Sequence, residues 1–236
     1  MSEPVRIALV GSTGLIGGEL MRLCVGRRDV RLVAVARREA PMPPGARMEM
    51  FVADPDKWGE VFEAIRPQAL VCALGTTWKK AGRDEAAFRA VDQELVLATA
   101  RAAKEQGVAN FLAVSSAGAD ARSKTFYLRV KGEVERELQA LRFKRLDILR
   151  PGLLRGPRSG DRRMGERLAI LASPLADLFL QGRFEAYRSI SAELVAKAAL
   201  ALAMRKAAGR FVHDNAAILR AAASLSYLHS DDRDTH

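Results

Sequence analysis

A run of branched apolar residues that stops at a glycine turn constrains the fold of this chain more than any other feature. Val5, Ile7, Ala8, Leu9 and Val10 read as a strand apolar on both faces, the pattern of a parallel strand buried between two layers. Gly11-Ser12-Thr13-Gly14-Leu15-Ile16-Gly17-Gly18 follows at once, and Glu19 to Cys24 then carries a helical pattern. Strand, glycine turn and helix in that order are the context of a dinucleotide-binding fingerprint. Glycines let the backbone turn sharply and approach a pyrophosphate, and the free N–H groups and dipole of the new helix favour an anion. A turn that merely closes a strand–helix unit is the alternative. The spacing here, Gly-x-x-Gly-x-x-Gly, also departs from the usual Gly-x-Gly-x-x-Gly.

The rest of the chain repeats that alternation. Arg31 to Ala36, Met50 to Ala53, Ala69 to Leu74, Phe111 to Val114 and Leu146 to Leu149 read as further strands. Helical patterns lie between them, the longest from Asp84 to about Gln106. In that helix Ala87, Val91, Leu95, Ala98 and Ala102 define the expected buried face, and Gly107 is a fitting stop. The fold class expected is α/β, a Rossmann-type doubly wound parallel sheet. At 236 residues the chain has room for one sizeable core. It reads as a single NAD(P)-binding domain over 1–236, with 153–236 supplying a small substrate-side lobe where the alternation weakens. In that part Arg158 to Arg163 reads as a basic loop and Met164 to Leu180 as helix-like. Tyr187 to Ile190 suggests a strand, Ser191 to Met204 a helix, Phe211-Val212 a short strand and Ala216 to Leu225 a last helix.

Composition excludes several classes of function. No apolar run approaches the roughly 20 residues needed to span a bilayer, so no membrane partner is expected. Met1-Ser2-Glu3-Pro4 leads straight into the first strand, and no signal peptide is expected. Cys24 and Cys72 fall in a helix and a buried strand without metal-like or Cys-x-x-Cys spacing, and read as reduced core thiols of a cytoplasmic protein. The three histidines, His213, His229 and His236, are late and scattered, so no metal site is expected. The net charge of +10 invites a nucleic-acid reading. Yet no helix-turn-helix, zinc-finger or RNP-like pattern accompanies the basic clusters, and a pocket for an anionic cofactor explains them more simply.

Candidate site residues gather where strands end. Arg37 and Arg38 follow the second strand, at the place where an acidic residue would bind ribose hydroxyls; arginine suits a 2′-phosphate, so NADP(H) is preferred and NAD(H) is the lesser option. Asp54 reads by position as a helix cap, with contact to the adenine as the other role. Gly75, Thr76 and Thr77 lie just past the fourth strand, where open α/β sheets bind ligands. Lys79 and Lys80 read equally as solvated loop or site mouth. Ser115 and Ser116 end the fifth strand. Tyr127 and Lys131, four apart, share one face of a helix, where an ammonium stabilises a phenolate. Arg150-Pro151-Gly152 turns at the same sheet edge.

Taken in order, Gly11 to Gly17, Leu74 to Thr77, Val114 to Ser116, Tyr127-x-x-x-Lys131-Gly-Glu-Val-Glu135 and Arg150-Pro-Gly152 resemble the atypical and extended short-chain dehydrogenase/reductases. They look most like the oxidoreductase-like group related to the Tat-interacting tumour suppressor, which has many bacterial members. The resemblance covers roughly residues 5 to 215 and supplies roles. The Gly-x-x-Gly-x-x-Gly spacing is that group's own version of the fingerprint, with Ser12, Thr13, Leu15 and Ile16 within it. Arg37 takes the place of the 2′-phosphate contact, beside Arg38, and Asp54 that of the residue near the adenine. Gly75, Thr76 and Thr77 run along the pyrophosphate and nicotinamide ribose, and Pro151 and Gly152 border the nicotinamide. Lys131 holds ribose hydroxyls, Tyr127 donates a proton to a carbonyl, and Ser116, with Ser115 as second choice, positions that carbonyl. Asp92 stands where extended members often carry asparagine. The resemblance implies hydride transfer on a small carbonyl or alcohol. The alternative is a non-catalytic NADP(H)-dependent regulator that presents a surface to a protein partner.

Overall fold

The computed structural model describes residues 3–156 and 188–228. Among them, seven strands form one sheet: β1 (Val5–Val10), β2 (Val30–Ala36), β3 (Glu49–Val52), β4 (Ala69–Cys72), β5 (Asn110–Val114), β6 (Arg145–Leu149) and β9 (Gly209–His213). Their order is β3-β2-β1-β4-β5-β6-β9 and every neighbouring pair is parallel. This is the doubly wound architecture expected from the alternation. The winding reverses between β1 and β4, so a crevice opens at their carboxyl ends.

Two apolar layers sandwich the sheet. On one face α1 (Leu15–Leu23), α6 (Ala192–Ala203) and α7 (Asn215–Leu228) pack with Ile7, Leu9, Leu32, Val71 and Leu149. On the other, α2 (Trp58–Ile65), α4 (Val96–Glu105) and α5 (Phe126–Ala140) cover Ala8, Val10, Val33, Leu70, Phe111 and Ile148. The alternation of neighbours between the two faces follows from the two-residue period of a strand. Ile7 through Val10 are wholly buried. In α2 the buried Trp58, Phe62 and Ile65 make one stripe, and the indole of Trp58 donates to Ala53 O at 3.0 Å. Helix α6 is alanine-rich and buried on almost every side, and Ser191 caps it by accepting from Leu194 N–H.

The long helix expected over Asp84 to Gln106 runs unbroken from Glu85 to Glu105, with a π-helical turn (Ala90–Leu95) between α3 (Glu85–Arg89) and α4. Its buried face is not the one the spacing suggests. Phe88, Asp92, Val96, Ala100 and Ala103 point inward, while Ala87 and Ala98 are exposed. The wider π turn shifts the helical phase, and tertiary packing of Phe88 and Asp92 overrides the weak preference of small residues. Gly107, with φ of 74°, ends α4 as expected.

Beyond β6, β7 (Leu154–Arg155) pairs in parallel with β8 (Ile190–Ser191) as a separate ribbon. Strand β9 then joins the main sheet, and α6 and α7 pack onto it. The loop Arg158 to Arg163, the segment Met164 to Leu180 and Tyr187 lie outside the described residues. Among the described residues no helix is long and apolar enough to cross a membrane, and no cluster of metal-ligating side chains occurs. Cys24 and Cys72 are buried and unpaired, and burial pushes their thiols up to about 12 and about 11.

Candidate cofactor and active site

The glycine turn lies at the reversal point of the sheet. Gly11 has φ of 91°, and a Cβ there would fall 2.6 Å from the carbonyl carbon of Ala73, just beyond β4. A Cβ on Gly17 would lie 2.2 Å from Gly11 O, and one on Gly14 3.2 Å from it. The turn is therefore wound as tightly as backbone allows, and Gly14 N–H donates to Gly11 O at 3.0 Å. Thr13 and Gly14 are exposed at the mouth of α1, where the free amides of the first turn project. Leu15 is half-buried and Ile16 buried, anchoring the helix. Ser12 is 3% exposed, yet among the described residues its Oγ has no hydrogen-bond partner. A buried hydroxyl without a partner beside a glycine cradle and a helix N-terminus suits a pyrophosphate.

The flanking residues follow the strand ends. Arg37 and Arg38 are exposed just past β2 and make no ion pair with the described residues. Asp54 occupies the capping position of a short 3-10 turn (Pro55–Lys57), but its side chain caps nothing and is exposed. Gly75 is exposed, with Thr76 and Thr77 half-buried beside it. Trp78 continues this loop and packs against Phe88 and Phe126. Lys79 and Lys80 are exposed.

Helix α5 carries Tyr127 and Lys131. Its close packing on the loop that follows β5 depends on Gly132, where a Cβ would lie 2.1 Å from Ala121 N. Lys131 is buried, with Nζ 2.8 Å from Asp92 Oδ1, and the other oxygen of Asp92 accepts Thr76 N–H at 2.7 Å. Burial alone would push the Lys131 ammonium down; the Asp92 carboxylate, with Tyr127 and Cys72 nearby, holds it above the usual lysine range instead. Tyr127 is half-buried, its ring 5.6 Å from that of Phe88. Its hydroxyl makes no hydrogen bond with the described residues.

The two serines differ. Ser115 Oγ donates to Glu135 Oε1 at 2.5 Å, and the same carboxylate takes Arg150 Nε at 2.9 Å. Ser115 is thus bound into a structural knot joining β5, α5 and β6. Among the described residues Ser116 Oγ makes only a 3.3 Å contact, to Ala117 O. Pro151 and Gly152 are fixed from three sides. Arg150 N–H donates to His213 O and Ala117 N–H to Pro151 O, while Gly152 N–H donates to Asn215 Oδ1 at 2.8 Å. Asn215 also donates to Arg188 O at 2.6 Å.

Sequence reasoning gave Glu135 and Asn215 no role. Glu135 carried a usable signal, because positions 127, 131 and 135 fall on one helical face. Asn215 carried none, since its partners are distant in the chain.

A family model described as NAD(P)H-binding matches residues 11–206. The chain belongs to the NAD(P)H-binding family. A relative from Meyerozyma guilliermondii, "Protein FMP52, mitochondrial", is 33% identical over 204 residues, covering 85% of this chain and 86% of that protein. The protein of the same name from Saccharomyces cerevisiae is 38% identical over 160 residues, covering 66% and 69%. Among solved structures, UDP-glucose 4-epimerase from Thermus thermophilus in complex with NAD aligns with a TM-score of 0.66. Identity there is 18%, with 93% of this chain and 83% of that one covered. This NAD(P)H-binding protein thus shares its Rossmann-type fold with that NAD-bound epimerase.

The relatives overturn the expectation of a cytoplasmic protein, because those named here are mitochondrial. They are also fungal, where bacterial relatives were expected. Unpaired thiols report a reducing surrounding and nothing finer, so they never distinguished these compartments.

Proposed function

We propose that this NAD(P)H-binding protein is an NADP(H)-preferring oxidoreductase acting on a carbonyl or alcohol of a small molecule. The observation that carries the reading is the buried Lys131, fixed by Asp92, one helical turn from a Tyr127 whose hydroxyl is uncommitted. The glycine turn with Ser12, Thr13, Leu15 and Ile16 holds the pyrophosphate, and Gly75, Thr76 and Thr77 line its continuation. Asp54, whose side chain caps nothing, reaches the adenine. Pro151 and Gly152, locked from three sides, form a rigid border for the nicotinamide. When bound, that cofactor supplies or accepts a hydride. Tyr127 gives its proton to the carbonyl oxygen, Lys131 holds ribose hydroxyls, and Ser116 donates a hydrogen bond that positions the carbonyl. Ser115 is left out of this set because its proton is spent on Glu135. The ordered motifs support placing the chain with the Tat-interacting tumour-suppressor-like group.

Tyr127→Phe is expected to lower turnover at least about a hundredfold, the scale of a lost general acid. The measurement is a carbonyl panel followed by NADPH oxidation, with circular dichroism as a check on folding. Equal rates in both proteins would remove Tyr127 from the chemistry and favour the regulatory alternative.

Arg37 and Arg38 support NADP(H) because they are exposed, unpaired with the described residues and sited at the end of β2. Arg37→Ala is expected to weaken NADPH binding by about 10- to 100-fold, the value of a charge-assisted contact, and to leave NADH unchanged. Fluorescence titration with both cofactors checks this, and an equal loss for both would contradict it.

A further inference from the structure

Asp92 does more than place Lys131. The two side chains are 1% and 7% exposed and 2.8 Å apart, so a full negative and a full positive charge meet with almost no water between them. The groups facing Lys131 are Asp92 from the π-helical turn, Tyr127 from its own helix and Cys72 from the end of β4. Of these, only Asp92 brings a carboxylate. An asparagine at that position would still accept Thr76 N–H but would leave the ammonium uncompensated. A phenolate gains far more from a bare ammonium than from one already cancelled, and shielding from water enlarges the difference.

We infer that Asp92 keeps Tyr127 in its proton-donating form by cancelling the Lys131 charge that would otherwise favour the tyrosinate. This rests on the oxidoreductase reading above and adds to it what sets the hold of Tyr127 on its proton. The carbonyl carbon gains the hydride that the cofactor supplies, and the C–O π bond breaks. The oxygen takes the Tyr127 proton, giving an alcohol and a tyrosinate that recovers its proton from water.

The test needs neither substrate nor cofactor. The chain has three tyrosines, so tyrosinate absorbance followed against pH resolves Tyr127 once Tyr127→Phe identifies its step. In Asp92→Asn that step is expected to move to lower pH by about one unit or more, as when an ammonium beside a phenol loses its counter-charge. Asp92→Ser removes the same charge with a smaller side chain and is expected to move the step in the same direction. A step that stays in place, or rises, in a folded variant overturns the inference. The shift is independent of turnover: a shift without any carbonyl reduced defeats the oxidoreductase reading alone, and reduction without a shift defeats this one alone.

Discussion

Gly17→Ala is expected to lose cofactor binding together with about 3 kcal/mol of stability or more, while Gly18→Ala is expected to be tolerated. At position 17 the new methyl would lie 2.2 Å from Gly11 O and 2.8 Å from Gly11 C. Both are backbone atoms, and neither has a rotamer through which to yield. Helix α1 must therefore move away from the turn, and the cradle opens. Overpacking of this kind costs about 1–3 kcal/mol where side chains can adjust, so the upper end is the floor here. For a chain of this size it corresponds to a midpoint about 6–12 °C lower. At Gly18 the nearest atom outside the helix is Ser12 O at 3.8 Å, an ordinary contact. Alanine there sits inside a helix and is expected to add about 0.5–1 kcal/mol by restricting the unfolded chain. Thermal melts with and without NADPH read both effects. A Gly17→Ala protein that still gains thermal stability from NADPH would contradict the geometry.

Asp147→Ala is the second large effect, expected to cost about 3–5 kcal/mol. Asp147 is buried in β6, where it takes Arg145 Nε at 2.6 Å and Arg145 Nη2 at 2.8 Å, and lies 2.8 Å from His213 Nε2 on β9. Among the described residues Arg145 keeps one other acceptor, Ala207 O, and its guanidinium stacks 4.5 Å over the Phe211 ring. Removing the carboxylate strands a guanidinium that is 3% exposed. The penalty belongs to the orphaned charge rather than to the pair, so Arg145→Met combined with Asp147→Leu is expected to recover most of the loss. Urea denaturation of the single and double variants makes the comparison. A double variant as unstable as Asp147→Ala would show that packing, not charge, dominates.

The parallel strands were legible because each is a short apolar run that needs both faces covered: Ile7 to Val10, Leu32 to Ala36, Ala69 to Cys72 and Phe111 to Ala113 are buried throughout. The glycine turn and the Gly107 stop were legible for a related reason, since local geometry dictates their residue types. The π-helical turn was not. Nothing in the spacing of Phe88 and Asp92 announces an extra residue in the turn, and a buried aspartate reads as a polar position. Arg145 and Asp147 escaped notice similarly, because alternation in a strand sends both to one face, where only β9 reveals their partners. In the candidate site the positions came from sequence, but the division of labour between Ser115 and Ser116 did not. It follows from Glu135, which approaches Ser115 only once α5 is laid on the sheet.

The ribbon of β7 and β8 ties a distant part of the chain mechanically to the glycine turn. Leu154 faces Ile190 and Arg155 faces Ser191, Ile190 N–H donates to Leu153 O at 2.9 Å, and Asn215 ties Gly152 to Arg188. The chain therefore departs from the sheet and returns to it through one clamped neck, beside Leu15 at the start of α1. The position that Gly156 occupies leaves no room for a side chain, since a Cβ there would lie 3.0 Å from Leu15 Cδ1 and 3.4 Å from the Ala192 methyl. A change that loosens the neck therefore reaches the first turn of α1 directly, through Leu15.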